Sequence, residues 1–317
     1  MRNVFLVLCL MFSVPCLAQK EVDIVSTPVE LYPGPIPGAI ESDNQEFFSR
    51  AEPGDKFVAS VNQPKLTVYQ PSAAKRNGVA VLILPGGGYF GVAIDKEGYA
   101  IAERFAKAGV TAFVLKYRMP MDSTMKDKAT GPLQDAQQAL AVIRQNSEKW
   151  GIDADKVGIM GFSAGGHLAS TVATHFKKPV MPGLSKKLVR PDFQVLIYPV
   201  ISMEAGITHQ GSRELLLGKA PNGQQVNDFS NEKQVTANTP QAFIVHANDD
   251  KSVPVANSLR YHAALVEKRV PVQLLLLPEG GHGFGMTNNF DWFQTLEMWL
   301  HSRGIIPDNA SASDNSY

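Results

Sequence analysis

The sequence predicts an α/β fold: a mostly parallel, eight-stranded sheet with helices on both faces. Three observations predict it. Eight short runs read as strands, and from residue 79 onward helix-length segments alternate with them, the rhythm of a parallel sheet joined by crossovers. Val79–Leu84 is continuously apolar, as a strand buried on both faces must be. A glycine-flanked serine, Gly161-Phe162-Ser163-Ala164-Gly165, stands between a strand-like run and a helix-like one.

The elements follow in order. Residues 1–18 carry Arg2, an apolar stretch from Val4 to Val14, and Cys16-Leu17-Ala18 before Gln19. This is the pattern of a signal peptide cut after Ala18 and of an exported chain. The stretch is short for a membrane span. A lipidated Cys16 is the competing reading, and Pro15 beside it fits that poorly. Residues 19–55 hold Pro28, Pro33, Pro35, Pro37 and Pro53 without periodicity, and read as an extended arm with turns.

An α/β domain is expected over 56–306. Lys56–Val61 and Leu66–Tyr69 alternate and should form the first, antiparallel strands. After Val79–Leu84, Asp95–Ala108 has Ile101, Ala102 and Phe105 on one helical face and stops at Gly109. Val110–Tyr117 is a strand, and Pro132–Trp150 a helix with Leu133, Ala136, Leu140 and Ile143 at helical spacing. Further strands are Lys156–Met160, Phe193–Tyr198, Gln241–His246 and Val272–Leu277. The last helices are Pro254–Lys268, with Ser252 as a candidate cap, and Phe290–Leu300. Residues 200–240 break the rhythm and are expected to roof a pocket. The tail, 307–317, is polar.

Composition narrows the function. The 317 residues are 44% hydrophobic with a formal net charge of zero and no long run of one sign, which argues against nucleic acid as a partner. Both cysteines, Cys9 and Cys16, fall in the leader, so a mature chain has no disulfide and no thiol nucleophile.

The motif at 161–165 is the G-x-S-x-G turn that presents a nucleophilic serine between strand and helix. A serine hydroxyl needs a base within hydrogen-bond reach, and the base needs an orienting carboxylate. Both follow Ser163 in the chain order Ser, Asp, His, each just past a strand. His282 lies in Gly281-His282-Gly283-Phe284, where the glycines allow a tight turn. The acid comes from Asn248-Asp249-Asp250-Lys251-Ser252-Val253-Pro254. Asp250 is favoured by its D-x-x-V-P spacing onto the next helix, with Asp249 as the alternative.

No His or carboxylate cluster accompanies the aspartate pair at metal-ligand spacing, so no metal is expected, and the chemistry needs no cofactor. Gly86-Gly87-Gly88 follows the central strand. The N–H groups of Gly87, Gly88 and Ala164 are the candidates for an oxyanion hole; a dinucleotide loop is the alternative, but its glycine register is not formed. Of the other histidines, His167 is expected to be packed or capping, and His246 to support the acid loop. His175, His209, His262 and His301 read as surface or structural residues.

From about Val29 to Ile305 the chain resembles α/β-hydrolase esterases related to the hormone-sensitive lipase group. It looks most like exported bacterial acetyl-ester and acetylxylan esterases. The resemblance rests on Leu31-Tyr32-Pro33-Gly34-Pro35-Ile36-Pro37-Gly38, Pro85-Gly86-Gly87-Gly88-Tyr89, Lys116-Tyr117-Arg118, Gly161 to His167, Asp250 to Pro254, and Gly281 to Phe284. Pro85 stands where the lipase group usually has histidine. The resemblance implies hydrolysis of short acyl esters, above all acetyl, on a small-molecule or polysaccharide substrate. A serine exopeptidase of the same fold and a non-catalytic binding protein on this fold are the alternatives. The full triad order disfavours the second.

Overall fold

The computed structural model describes residues 24–50 and 55–307. The expected leader over 1–18 and the tail from 308 on lie outside the described residues. The strands are β1 (Val25–Val29), β2 (Phe47–Arg50), β3 (Lys56–Ala59), β4 (Lys65–Gln70), β5 (Ala80–Leu84), β6 (Gly91–Ala93), β7 (Thr111–Lys116), β8 (Val157–Phe162), β9 (Phe193–Ile197), β10 (Gln241–Ala247) and β11 (Val272–Leu277). The helices are α1 (Ala100–Lys107), α2 (Gly131–Gln145), α3 (Ser147–Trp150), α4 (Ser163–His175), α5 (Lys186–Val189), α6 (Gln210–Leu217), α7 (Gly223–Asp228), α8 (Ala256–Glu267) and α9 (Trp292–Ser302).

An eight-stranded sheet runs in the order β1-β4-β7-β5-β8-β9-β10-β11. β4 pairs antiparallel with both β1 and β7, and every later pairing is parallel. All residues of β5, β8 and β9 are buried, so both faces of the sheet centre are covered. α1 and α9 meet through Phe105 and Phe293, with ring centroids 4.8 Å apart. The membership of the sheet differs from expectation at one edge. Lys56–Val61 was expected among the first strands, and it is antiparallel, but β3 joins β2 and β6 in a separate three-stranded sheet. β1, from the segment expected as an extended arm with turns, takes the outer place instead. Its residues are exposed apart from half-buried Val29, and it contains Pro28. An edge strand tolerates proline and needs no apolar alternation, so it left no periodic signal.

Tyr32 and Pro37 of the arm are held by a buried ion pair. Arg118 Nε lies 3.0 Å from both carboxylate oxygens of Asp135, and the pair is buried. Tyr32 donates its hydroxyl to Asp135 Oδ1 at 2.6 Å, and Arg118 Nη1 donates to the Pro37 carbonyl. A buried ion pair is tolerable when its remaining donors and acceptors are matched in this way. The Leu31–Gly38 and Lys116–Arg118 motifs therefore meet in space.

Three further differences from expectation have local causes. The helix expected over Asp95–Ala108 opens with a π-turn, Ile94–Tyr99, before α1. Gly98 sits in it against the sheet, where a Cβ would come within 2.9 Å of Val114 Cγ1. Pro132–Trp150 divides into α2 and α3, and Gly151 closes α3 in the left-handed conformation. Ser252 does not cap α8, whose N-cap position is Val255. Residues 200–240 carry α6 and α7 and are anchored by side chains. Asn257 Oδ1 accepts from the N–H groups of Ile201 and Ser202. Asn231 Nδ2 donates to the His167 carbonyl and to Ser170 Oγ and Thr171 Oγ1 on α4.

Candidate active site

Strand ends assemble the site. The Gly86–Gly88 loop follows β5, Ser163 follows β8, Asp250 lies just past β10, and His282 lies in the loop after β11. These are carboxyl ends of parallel strands, where an open α/β sheet leaves its crevice. Ser163 is held in the left-handed region at φ 51°, a strained conformation for a residue with a side chain. The turn is enforced by contact. A Cβ on Gly161 would lie 2.1 Å from the Gly165 carbonyl oxygen, and one on Gly165 would lie 2.2 Å from that of Leu84. Glycine at both positions is what lets β8 turn directly into α4.

The sequence candidates meet. Ser163 Oγ is 2.8 Å from His282 Nε2, and His282 Nδ1 is 2.7 Å from Asp250 Oδ2. Asp250 is deeply set. Its Oδ1 accepts the N–H groups of Ser252 and Val253, each at 2.9 Å, and its Oδ2 also faces His246 Nε2 at 3.2 Å. His246 Nε2 faces the Val253 carbonyl too, at 2.9 Å. Both of those partners are acceptors only, so Nε2 carries a proton, while Nδ1 lies 2.7 Å from Ser258 Oγ. The expected support of the acid loop by His246 thus takes the form of a second imidazole donor. Burial alone would raise the Asp250 carboxyl. The donors His246, His282 and Val253 and the charge of His282 outweigh it and hold the group well below the usual carboxylate range.

Asp249 points elsewhere. Its Oδ1 accepts from the Gly281 N–H at 2.8 Å, which pins the loop carrying His282. The exposed carboxyl is lowered chiefly by that hydrogen bond.

Gly87 and Gly88 lie in the left-handed region, at φ 141° and 66°, and both line a cavity of about 480 Å³ with Ser163 and His282. A Cβ on Gly87 would overlap the Gly91 carbonyl at 2.3 Å. Ala164 opens the first turn of α4, where backbone N–H groups have no intrahelical acceptor. Two of the three candidate oxyanion donors, Gly87 and Gly88, thus line the cavity together with the serine, and Ala164 follows the serine directly in the chain.

Sequence reasoning missed two residues. Glu97, in the π-turn, is buried, and its Oε2 accepts the Gly86 N–H at 2.7 Å. Its Oε1 accepts the Tyr198 hydroxyl at 2.7 Å. That hydroxyl in turn accepts the Gly285 N–H at 3.0 Å, and the Tyr198 ring packs edge-on against His282 with centroids 4.9 Å apart. One carboxylate thus joins the glycine loop to the histidine loop. Burial pushes the Glu97 carboxyl up, against the lowering effect of the Tyr198 and Gly86 hydrogen bonds and of the His282 and Lys96 charges. His209 is the other. It was expected to be a surface or structural residue, and it lines the cavity. His167, by contrast, is packed as expected. Its Nε2 donates to the Phe229 carbonyl, and its Nδ1 accepts from the Tyr89 hydroxyl, both at 2.8 Å.

No group of three or more His, Cys, Asp or Glu placed to hold a metal occurs among the described residues. No helix among them is long and apolar enough to cross a membrane.

The sheet order, with the serine on a strand-to-helix turn and a histidine and aspartate from later strand ends, defines an α/β-hydrolase. The BD-FAE family pattern matches residues 66–265, and the chain belongs to that family. It is 36% identical over 234 residues to an acetylxylan esterase of Xylanibacter ruminicola, covering 71% of this chain and 46% of that protein. It is 40% identical over 212 residues to endo-1,4-beta-xylanase B of Butyrivibrio fibrisolvens, covering 66% of this chain and 33% of that one. The chain therefore spans less than half the length of these curated relatives. The crystal structure of an acetyl ester-xyloside bifunctional hydrolase from Caldicellulosiruptor lactoaceticus superposes with a TM-score of 0.71 at 34% identity, covering 89% of this chain and 97% of that one.

Proposed function

We propose that this chain is a serine carboxylic-ester hydrolase that removes short acyl groups, above all acetyl, from carbohydrates. The observation that carries the reading is the unbroken run Ser163 Oγ–His282–Asp250 at 2.8 and 2.7 Å, bordering a cavity lined by Gly87 and Gly88. Ser163 attacks the ester carbonyl while His282 Nε2 takes its proton. The carbonyl oxygen becomes an anion facing the N–H groups of Gly87, Gly88 and Ala164. The imidazolium then protonates the departing alcohol, leaving an acyl-serine. Water, deprotonated by His282, releases the acid and restores the serine. Asp250 holds the imidazole with Nδ1 protonated and stabilises its charged form. The oxidation state of every group is unchanged, so no cofactor is required.

The carbohydrate side of the reading is supported by the relatives named for acetylxylan and xylan chemistry. Export behind a leader cut after Ala18 would bring the enzyme to polymers too large to enter a cell. The cavity, about 480 Å³, has room for a small acyl group and part of an alcohol. The test is kcat/KM on p-nitrophenyl esters of two to twelve acyl carbons, alongside acetylated xylo-oligosaccharides. Acetyl and propionyl esters should lead and acetate should be released from the oligosaccharides. A maximum at eight carbons or beyond would overturn the reading.

A further inference from the structure

His209 enters the cavity from the segment between β9 and β10, and its hydrogen bonds fix what it can offer. As the N-cap of α6, its side chain accepts the Ser212 N–H at its Nδ1, 3.2 Å away, with Ser212 Oγ 2.8 Å from the same nitrogen. A backbone N–H can only donate. Nδ1 is therefore the unprotonated nitrogen, and Nε2 carries the hydrogen. Among the described hydrogen bonds none engages that Nε2–H. The ring lies beside the glycine loop, with Cε1 3.7 Å from where a Gly88 Cβ would stand, and it borders the same cavity as Ser163 and His282. Burial, and next the neighbouring His282, hold the imidazole below its ordinary range, against a smaller opposing effect of Asp250, so the ring stays neutral.

A neutral imidazole that borders a cavity, with a proton on Nε2, is a hydrogen-bond donor, not an acid. In an acetyl ester the methyl offers it nothing, and the carbonyl oxygen is served by the backbone donors of the glycine loop and α4. The acceptors that remain are on the alcohol. We propose that His209 is a specificity-determining residue that donates its Nε2–H to a hydroxyl oxygen of the sugar next to the ester being cleaved. The inference rests on the carbohydrate-ester reading above. Ser49, Asp55 and Lys96 line the same cavity, polar groups suited to the remaining hydroxyls.

The test uses His209→Asn. Asparagine is among the best N-caps, so it keeps the acceptor for the Ser212 N–H, but it is too short to carry a donor to the Nε2 position. The readout is the ratio of kcat/KM on methyl 2-O-acetyl-β-xyloside to kcat/KM on p-nitrophenyl acetate. One neutral hydrogen bond predicts a fall of about five- to tenfold in that ratio. An unchanged ratio, whether both activities hold or both fall together, overturns the proposal. A second measurement needs no variant. The 3-deoxy xyloside acetate, lacking the hydroxyl beside the ester, should react with the wild-type enzyme about five- to tenfold more slowly than its parent. Equal rates on parent and deoxy ester overturn the proposal alone. A wild-type enzyme that cleaves p-nitrophenyl acetate but neither xyloside overturns the carbohydrate reading, and this inference with it.

Discussion

Replacing Tyr198 by phenylalanine removes one oxygen and two hydrogen bonds while keeping the ring that packs on His282. The hydroxyl donates to Glu97 Oε1 at 2.7 Å and accepts from the Gly285 N–H at 3.0 Å, and all of it is buried. Stranding a buried N–H costs about 1–3 kcal/mol, and a buried carboxylate that loses a donor costs at least as much. The sum is roughly 2–6 kcal/mol, which for a domain of this size, at about 0.6 kcal/mol per °C, lowers Tm by about 3–10 °C. The effect on turnover is separable. Glu97 also holds the Gly86 N–H at 2.7 Å, so the loop with the candidate oxyanion donors and the loop with His282 lose a common tether. A displacement of about 1 Å at reacting groups can cost on the order of 100-fold in rate. Thermal melts and kcat on p-nitrophenyl acetate measure the two effects. Because Tyr198 and Glu97 form one network, adding Glu97→Gln to Tyr198→Phe should cost less than the two singles together. A Tm within about 2 °C of wild type, with kcat within about twofold, would refute the tether.

Ser163→Ala should fold normally and lose about 10⁴-fold or more in kcat; near-wild-type esterase activity would remove the serine from the mechanism. Asp250→Asn should cost about 10³–10⁴ in kcat, because an amide cannot hold the imidazole in the tautomer that accepts the serine proton. Asp249→Asn keeps an oxygen for the Gly281 N–H and should cost far less, and equal losses would mean that the orienting acid was misassigned. His167 predicts a pH effect on stability. Burial pushes its imidazole down from the ordinary 6.5 to about 4. The unfolded chain binds that proton first, so His167's contribution is complete above about pH 6.5 and falls away as pH drops toward 4. Between pH 7.5 and 4.5 the loss is about 2–3 kcal/mol. Denaturant titrations at both pH values should show His167→Gln losing less than wild type over this interval, and equal losses would contradict the buried neutral form.

Much of the fold was legible because its signals are local. A strand buried on both faces must be apolar throughout, and β5 is read directly from Val79–Leu84. A serine on a sharp turn needs small neighbours, and the contacts at Gly161 and Gly165 show the steric reason. The residues that escaped obey no local rule. β1 hydrogen-bonds to β4 through its backbone, so exposed side chains and Pro28 disguise it. Asn222 and Gln225 form a capping box for α7, a readable signal hidden in a segment whose polarity suggested loop. The π-turn at Ile94–Tyr99 differs from an α-helix by one residue in its hydrogen-bond span, and apolar periodicity over six residues cannot register that.

The same division runs through the candidate site. Ser163, Asp250 and His282 were readable because each lies in a loop whose glycines, or whose spacing to the next helix, follow from what the loop must do. Glu97 and His209 carry no such constraint. An acidic residue in the first turn of a helix reads as a complement to the helix dipole, and His209, which reads as a surface or structural residue, is the N-cap of α6. In Glu97 the local reading fails because the π-turn sets its carboxylate between Gly86 and Tyr198. In His209 the local reading is correct but incomplete, since the cap fixes the tautomer and the tautomer leaves a donor beside the cavity. Local chemistry thus identifies the groups that would react, while the groups that hold them and border the substrate's space emerge only once distant segments pack together. For such residues the useful sequence signal is a buried or capping polar group whose second hydrogen-bonding atom has no local partner.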